Sequence, residues 1–200
     1  MTNHYYSNKP QSKSSPKIWK YQLRKKEFTF ISDTGVFSKN EVDYGSRLLI
    51  EHFTEPSRPG DILDLGCGYG PIGIAIAASF PDRKITMIDI NERAVNLAKE
   101  NIRMNQIKNA EAFVSDRFKE LPNRLFATIL TNPPIRAGKK IVHAIFEESK
   151  SSLYTEGELW VVIQKKQGAP SAKRKLDELF GHVEVVTKSK GYYILRAVKV

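Results

Sequence analysis

Two rhythms of apolar residues alternate along this chain. Short, largely apolar runs stand at residues 62–65, 84–90, 110–115, 126–131 and 157–164, each closed by polar or turn-forming residues, as buried parallel strands are. Between them apolar positions recur at helical spacing. Ile72, Ile74, Ala75 and Ile76 follow Pro71; Ala94, Val95, Ala98 and Ile102 share one face of a helix over residues 91–105; Ile141, Val142, Ile145 and Phe146 share one over 139–153; a further helix covers 171–180. Strands alternating with helices predict an α/β fold with a doubly wound sheet. Residues 182–187 and 192–198, joined by Lys188-Ser189-Lys190-Gly191, predict a closing antiparallel pair. Ahead of this core, Trp19, Tyr21 and Leu23 alternate with Lys20, Gln22 and Arg24, and Phe28 and Phe30 follow, which predicts an N-terminal β-hairpin turned off by Asp33-Thr34-Gly35. A helix through Leu48, Leu49, His52 and Phe53 comes next, before Arg58-Pro59-Gly60. Residues 1–17 carry no period and are expected to form a flexible basic arm. Residues 18–200 are expected to form one domain, with the hairpin and helix in 18–60 and the core in 61–200.

The first buried run breaks into glycine at Gly66, Gly68, Gly70 and Gly73, and a helix begins at once. Strand, glycine turn and helix in that order bring a backbone close to a ligand, because a residue without a β-carbon takes positive φ and leaves room. Gly68-x-Gly70-x-x-Gly73 satisfies the dinucleotide fingerprint, with Asp89 ending the next strand where a ribose-binding acid belongs. A carboxylate there can accept both ribose hydroxyls; alternatively Asp89 caps the following helix, a task that Asn91 can also fill.

Charge adds a partner. With 32 lysines and arginines against 22 acids the net charge is +10, which suggests a polyanion, and nucleic acid ahead of a membrane because no basic amphipathic helix stands out. Cys67 is the only cysteine, so an internal disulfide is excluded; it sits in the glycine turn as a small packing residue. The amino terminus lacks the apolar core of a signal peptide and no run is long enough to span a membrane, so a cytoplasmic protein is expected. His4, His52, His143 and His182 show no ligand spacing, and no metal is expected.

Asn132-Pro133-Pro134 decides between the readings of the glycines. It falls at the carboxyl end of the fourth strand, the edge where open α/β sheets bind ligands. Asp64-Leu65-Gly66-Cys67-Gly68-x-Gly70 resembles the first motif of class I S-adenosylmethionine-dependent methyltransferases, and Asn132-Pro133-Pro134-Ile135 resembles the catalytic loop of members that modify planar amino or amide nitrogens. The chain from about residue 28 onward is most similar to the small-domain group of ribosomal RNA guanine-N2 methyltransferases. The group resemblance runs through Gly35-Val36-Phe37-Ser38, Asp43-Tyr44-Gly45-Ser46, Asp89-Ile90 and Arg136-Ala137-Gly138-Lys139.

The resemblance implies a Rossmann-like sheet of seven strands and S-adenosyl-L-methionine as cofactor. Asp64, Gly66, Gly68 and Gly70 would wrap its methionine end, Asp89 and Ile90 its ribose, and Asp116 the adenine amino group. It further implies a ribosomal RNA or pre-ribosomal partner, 16S of the small subunit ahead of others, and Asn132, Pro133 and Pro134 as the catalytic turn. An exocyclic amine has its lone pair delocalised into the ring. Two carbonyl acceptors, the Asn132 side chain and the Pro133 main chain, would draw that nitrogen toward tetrahedral geometry, and the prolines hold the carbonyl stiffly.

Two departures stand out. Ile135 replaces the aromatic residue that ends the loop in many relatives, so Phe37 is a candidate to stack on the target base beside Ile135, Arg136 and Lys139. The extra amino-terminal domain of longer relatives is not expected, so RNA selection is expected to fall to the arm, to Lys20, Arg24, Lys25 and Lys26 of the hairpin, and to Lys139, Lys140, Lys165, Lys166, Lys173, Arg174 and Lys175. A monomer is expected. The rival readings are amino methylation of large-subunit RNA, tRNA, DNA adenine or protein glutamine, a non-catalytic RNA-binding module, and an oxidoreductase, in which Asn-Pro-Pro has no task.

Overall fold

The computed structural model describes residues 13–36 and 41–200. An antiparallel hairpin, β1 (Lys17–Leu23) and β2 (Lys26–Ser32), leads through α1 (Tyr44–His52) into β3 (Ile62–Leu65), α2 (Pro71–Ser79), β4 (Ile85–Asp89), α3 (Glu92–Met104), β5 (Ala110–Val114) and β6 (Phe126–Thr131). The chain continues as α4 (Lys139–Ser151), β7 (Leu153–Gln164), α5 (Ala169–Phe180), β8 (Val183–Ser189) and β9 (Tyr192–Val198).

Seven strands form one sheet in the order β5-β4-β3-β6-β7-β9-β8, parallel except for β9, which runs against both its neighbours. The order reverses at β3, with β4 on one side and β6 on the other, so the crevice opens outside the carboxyl ends of those strands. Helices cover both faces. One apolar cluster packs α1, α2 and α3 with Ile62, Met87, Leu130 and Trp160; the other packs α4 and α5 with Leu63, Ile129, Leu159 and Val161. Successive residues of each strand thus enter opposite cores, which is why the central runs are apolar without alternation.

The hairpin turns at Arg24 and Lys25, both at positive φ (47° and 63°), although neither is the asparagine or glycine such turns favour. Tertiary bonds hold it: the Arg24 guanidinium donates to the carbonyls of Ile50 (3.0 Å) and Phe53 (2.8 Å), and its N–H donates to Glu51 (2.7 Å). Along the outer edge of β2, Asn105 exchanges bonds with the backbone of Thr29 and Asn101 with that of Ile31. Asn101, fully buried, also donates to the carbonyl of Tyr69 in the glycine turn (2.9 Å).

Three expectations are corrected. Strand β7 begins at Leu153 rather than Gly157, because α4 ends at Ser151 and the chain enters the sheet at once, with Leu153 beside Phe126. Its register then shifts between Phe126 and Thr128, with Glu156 at φ 65°. Such an irregularity hides the first half of the strand from a search for one apolar run. Helix α5 starts at Ala169, with Pro170 in its first turn, where a missing N–H costs nothing. Helix α1 ends one residue before Phe53, which is its C-cap.

Candidate active site

At the carboxyl edge of the parallel strands lies a cavity of about 390 Å³, walled by the turns after β3, β4, β5 and β6 and by the start of α1. Gly66 and Gly68 have φ of 76° and 58°, and a β-carbon on either would meet no protein atom within 4 Å. Both line the cavity, so bare backbone faces the space a ligand would take. Gly70 has a different task. It caps α2 at φ 99° with the Met87 methyl packed where its β-carbon would lie, so it makes the turn and does not line the cavity.

Asp64 stands behind the glycine turn rather than in the lining. It is fully buried, its Oδ2 accepts from Gly73 N–H at 2.8 Å, and its Oδ1 has no partner. Burial, opposed by the Gly73 bond and aided by the nearby charge of Asp89, pushes its carboxyl up to about 7. A folded-state value above the unfolded one makes the native state hold the extra proton, so this contribution is complete below about pH 4 and is lost as pH rises through about 7. Asp64→Asn keeps the shape without the charge. Its melting temperature relative to wild type should therefore climb from pH 5 to pH 8, measured by thermal denaturation; a constant offset would contradict the burial argument.

Asp89, at the end of β4, lines the cavity and folds its carboxylate over the glycine turn, accepting from Gly68 N–H (2.9 Å) and Asn91 N–H (2.8 Å). It does not cap α3: Asn91 does, accepting from Arg93 and Ala94 N–H. Asp89 keeps acceptor capacity for a ligand, since a carboxylate has about four lone-pair sites. Ile90 lines the cavity beside it. Asp116 does not line the cavity; it pairs with Lys119 and Arg117, and the Lys119 ammonium first among these holds its carboxyl below the usual range. Ser115 and Arg117 line that corner instead.

Asn132 follows β6 and its amide is fixed from one side. Its Nδ2 donates to Asp43 Oδ1 (3.3 Å) and Ser46 Oγ (3.1 Å). A carboxylate only accepts, so the amide nitrogen must face Asp43 and the carbonyl oxygen must face away. That oxygen takes no donor from the described residues, while Asn132, Pro133 and Pro134 all line the cavity. Asp43 is itself held as N-cap of α1, accepting from Ser46 N–H at 3.1 Å; burial pushes its carboxyl up, against the bonds from Ser46 and Asn132. Neither Asp43 nor Ser46 stands out as a site residue in the sequence, although an aspartate just ahead of a helical pattern is an N-cap signal that marks the start of α1.

Of the expected substrate contacts, Ile135 and Arg136 lie in a short 3-10 helix (Ile135–Ala137) and Lys139 begins α4; none of the three lines the cavity, whereas Ala137, Ile141 and Ile145 do. Phe37 lies outside the described residues. Cys67 is buried in the turn with its thiol pushed up by burial, in keeping with packing. Among the described residues no group of His, Cys, Asp and Glu is arranged to hold a metal, and no helix is long and apolar enough to cross a membrane.

A glycine turn after the first parallel strand and an Asn-Pro-Pro turn after the fourth, meeting at one cavity of a seven-stranded sheet with a reversed β9, define a Rossmann-like methyltransferase fold. The chain belongs to the methyltransferase small domain family, whose model matches residues 27–196. It is 61% identical over 201 residues, the full length of both chains, to the uncharacterized protein YbxB of Bacillus subtilis. It is 33% identical over 169 residues to the ribosomal RNA large subunit methyltransferase G of Streptomyces avermitilis, covering 82% of this chain and 44% of that one. Among solved structures, the T. thermophilus 16S rRNA N2 methyltransferase in complex with AdoMet and guanosine superposes with a TM-score of 0.82 at 26% identity, covering 96% of this chain and 52% of the other. The chain thus spans about half the length of these two rRNA methyltransferases.

Proposed function

We propose that this protein methylates the exocyclic N2 amine of a guanine in ribosomal RNA, with S-adenosyl-L-methionine as donor and 16S RNA as the first candidate. The observation that carries the reading is the Asn132 carbonyl, held toward the cavity by Asp43 and Ser46 beside Pro133. The named relatives act on large- and small-subunit rRNA, which supports the substrate class.

The glycine turn supports the cofactor, since the missing β-carbons of Gly66 and Gly68 leave space against bare backbone, and Asp89 keeps acceptor capacity beside them for ribose hydroxyls. When bound, the cofactor supplies a methyl group on a sulfonium, which leaves with the C–S bonding pair retained on sulfur. Asn132 Oδ1 and the Pro133 carbonyl each accept one N–H of the target amine, which frees its lone pair to form the new C–N bond. The two dipoles stabilise positive charge as it grows on nitrogen. Neither carbonyl retains a proton, so the surplus N–H proton leaves to solvent after transfer. In-line placement carries the rest of the rate. Asp116 would reach the adenine only by leaving Lys119 and Arg117, and Ser115 stands closer to that role. A base paired in a duplex hides its amine, so the target is unpaired or flipped out when methylated.

The test compares ribosomal RNA from cells with and without the gene, digested to nucleosides and mapped by mass spectrometry. One N2-methylguanosine is expected to disappear and to return with wild-type protein. Loss from 23S instead of 16S would move the subunit; an unchanged profile for both would sink the rRNA reading.

A further inference from the structure

Of the cations expected to meet RNA, Lys25, Lys139, Lys140 and Arg174 make no ion pair among the described residues, whereas five others are engaged. Lys20 pairs with Glu27 at 2.8 Å, Lys173 with Asp177 and Lys175 with Glu147 at 2.6 Å. Arg24 ties the hairpin to α1, and Lys26 donates to the Ala78 carbonyl. These charges are compensated or committed to the fold.

Another set is held without carboxylates. Lys190, at the β8–β9 turn, lies 4.9 Å from the centroid of the Tyr44 ring, and the Arg47 guanidinium lies 5.0 Å from the same ring. Lys188 sits 4.9 Å from the Tyr193 ring. The other bond of Arg47 goes to a neutral hydroxyl, that of Tyr21. Aromatic faces position a cation by their quadrupole and leave its full charge outward, whereas a carboxylate cancels it. Among the described residues none of these three makes an ion pair, and neither do Lys165 and Lys166, whose segment is fastened to the same turn by Lys165 N–H donating to the Gly191 carbonyl (2.7 Å).

The set adjoins the Asn132 end of the cavity. Tyr44 follows Asp43 in the chain and its hydroxyl shares a hydrogen bond with Ser189 (2.7 Å), which locks the β8–β9 turn to the helix that braces Asn132. Tyr192 packs within about 3 Å of where a Gly45 β-carbon would stand and 5.5 Å, ring to ring, from Tyr44. Five uncompensated cations and two partly exposed tyrosines therefore border one side of the site.

We infer that this surface, built from Arg47, Lys188, Lys190 and the Lys165-Lys166 segment around Tyr44 and Tyr192, takes the sugar–phosphate backbone of the single-stranded RNA next to the target nucleotide. The inference rests on the reading of the protein as an RNA methyltransferase and adds where the strand runs. It enters beside the β8–β9 turn and the carboxyl end of β7, and meets the N-terminal hairpin only where Arg47 donates to Tyr21.

The test is binding of a single-stranded RNA of about 12 nucleotides at several salt concentrations. Lys188→Ala with Lys190→Asn removes two cations, and asparagine is chosen because Lys190 has φ 48°, which asparagine tolerates. The control, Lys99→Ala with Lys108→Ala, removes two exposed cations on α3 and the loop before β5, at the far side of the sheet. Melting temperature and cofactor binding of both variants should match wild type. Each lost phosphate contact lowers the slope of log affinity against log salt by about 0.7, so the first pair should flatten it by about 1.4 and the control should not. Equal slopes for the first pair and wild type, or equal flattening by both pairs, would overturn the inference while leaving the methyltransferase reading intact. Wild-type protein with no salt-dependent RNA binding would overturn both.

Discussion

Replacing Asn132 with alanine is expected to lower RNA methylation about 10²–10³-fold while cofactor affinity stays within about threefold, because the carbonyl acts on charge that appears only in the transition state. The amide nitrogen contributes nothing directly; its bonds to Asp43 and Ser46 are what turn the oxygen toward the cavity. The measurement is single-turnover methyl transfer beside a calorimetric titration with the cofactor. Turnover near wild type would remove Asn132 from the chemistry. A parallel loss of cofactor binding would mark it as a structural residue of the β6 turn.

The second large effect concerns stability. Gly73→Val should destabilise the fold by about 3 kcal/mol, lowering the melting temperature by roughly 6–12 °C for a chain of this size. A β-carbon at Gly73 would lie 2.6 Å from Met87 Cγ, 2.7 Å from its Sδ and 3.0 Å from Asp64 Oδ2. Met87 Cγ is close to the backbone of β4 and fully buried, so it has nowhere to swing, unlike the methyl end that faces Gly70. Valine also disturbs the bond from Gly73 N–H that holds the first turn of α2 to β3. A melting temperature within about 2 °C of wild type would show that α2 can shift away from the sheet.

Much of this molecule is legible in its sequence because its signals are local. Largely apolar runs mark β3, β4 and β6 within a residue or so, the glycines mark the turn into α2, and Asn91 rather than Asp89 caps α3, as a second polar residue beside the first allowed. The seven-stranded sheet and its closing antiparallel pair agree with the resemblance read from the motifs. What the sequence hid depends on contacts distant along the chain. Asp64 carries the motif, yet the pleat turns its side chain under the glycine loop, so it fastens Gly73 instead of facing the cavity. Asp43 reaches Asn132 across 89 positions, and Lys175 finds Glu147 on the neighbouring helix. Lys20, Arg24 and Lys26 of the hairpin, which look like a nucleic-acid face, are drawn into an ion pair and carbonyl bonds, while cations held by aromatic rings rather than carboxylates gather by the last turn of the sheet, where Lys188 and Lys190 read from the sequence only as turn residues.

The two asparagines on α3 have a consequence for solution behaviour. Residues four apart on a helix rise about 6.0 Å, and residues two apart on a strand about 6.6 Å, so Asn101 and Asn105 match the repeat of Ile31 and Thr29 and bind both their N–H and C=O groups. Side-chain amides here stand in for a third strand. A two-stranded ribbon ordinarily offers an open rail to any extended peptide, including another copy of itself. This one presents a rail whose middle is already filled by its own helix, so the chain guards against aggregation by strand addition at β2 without adding a strand or a proline to that edge.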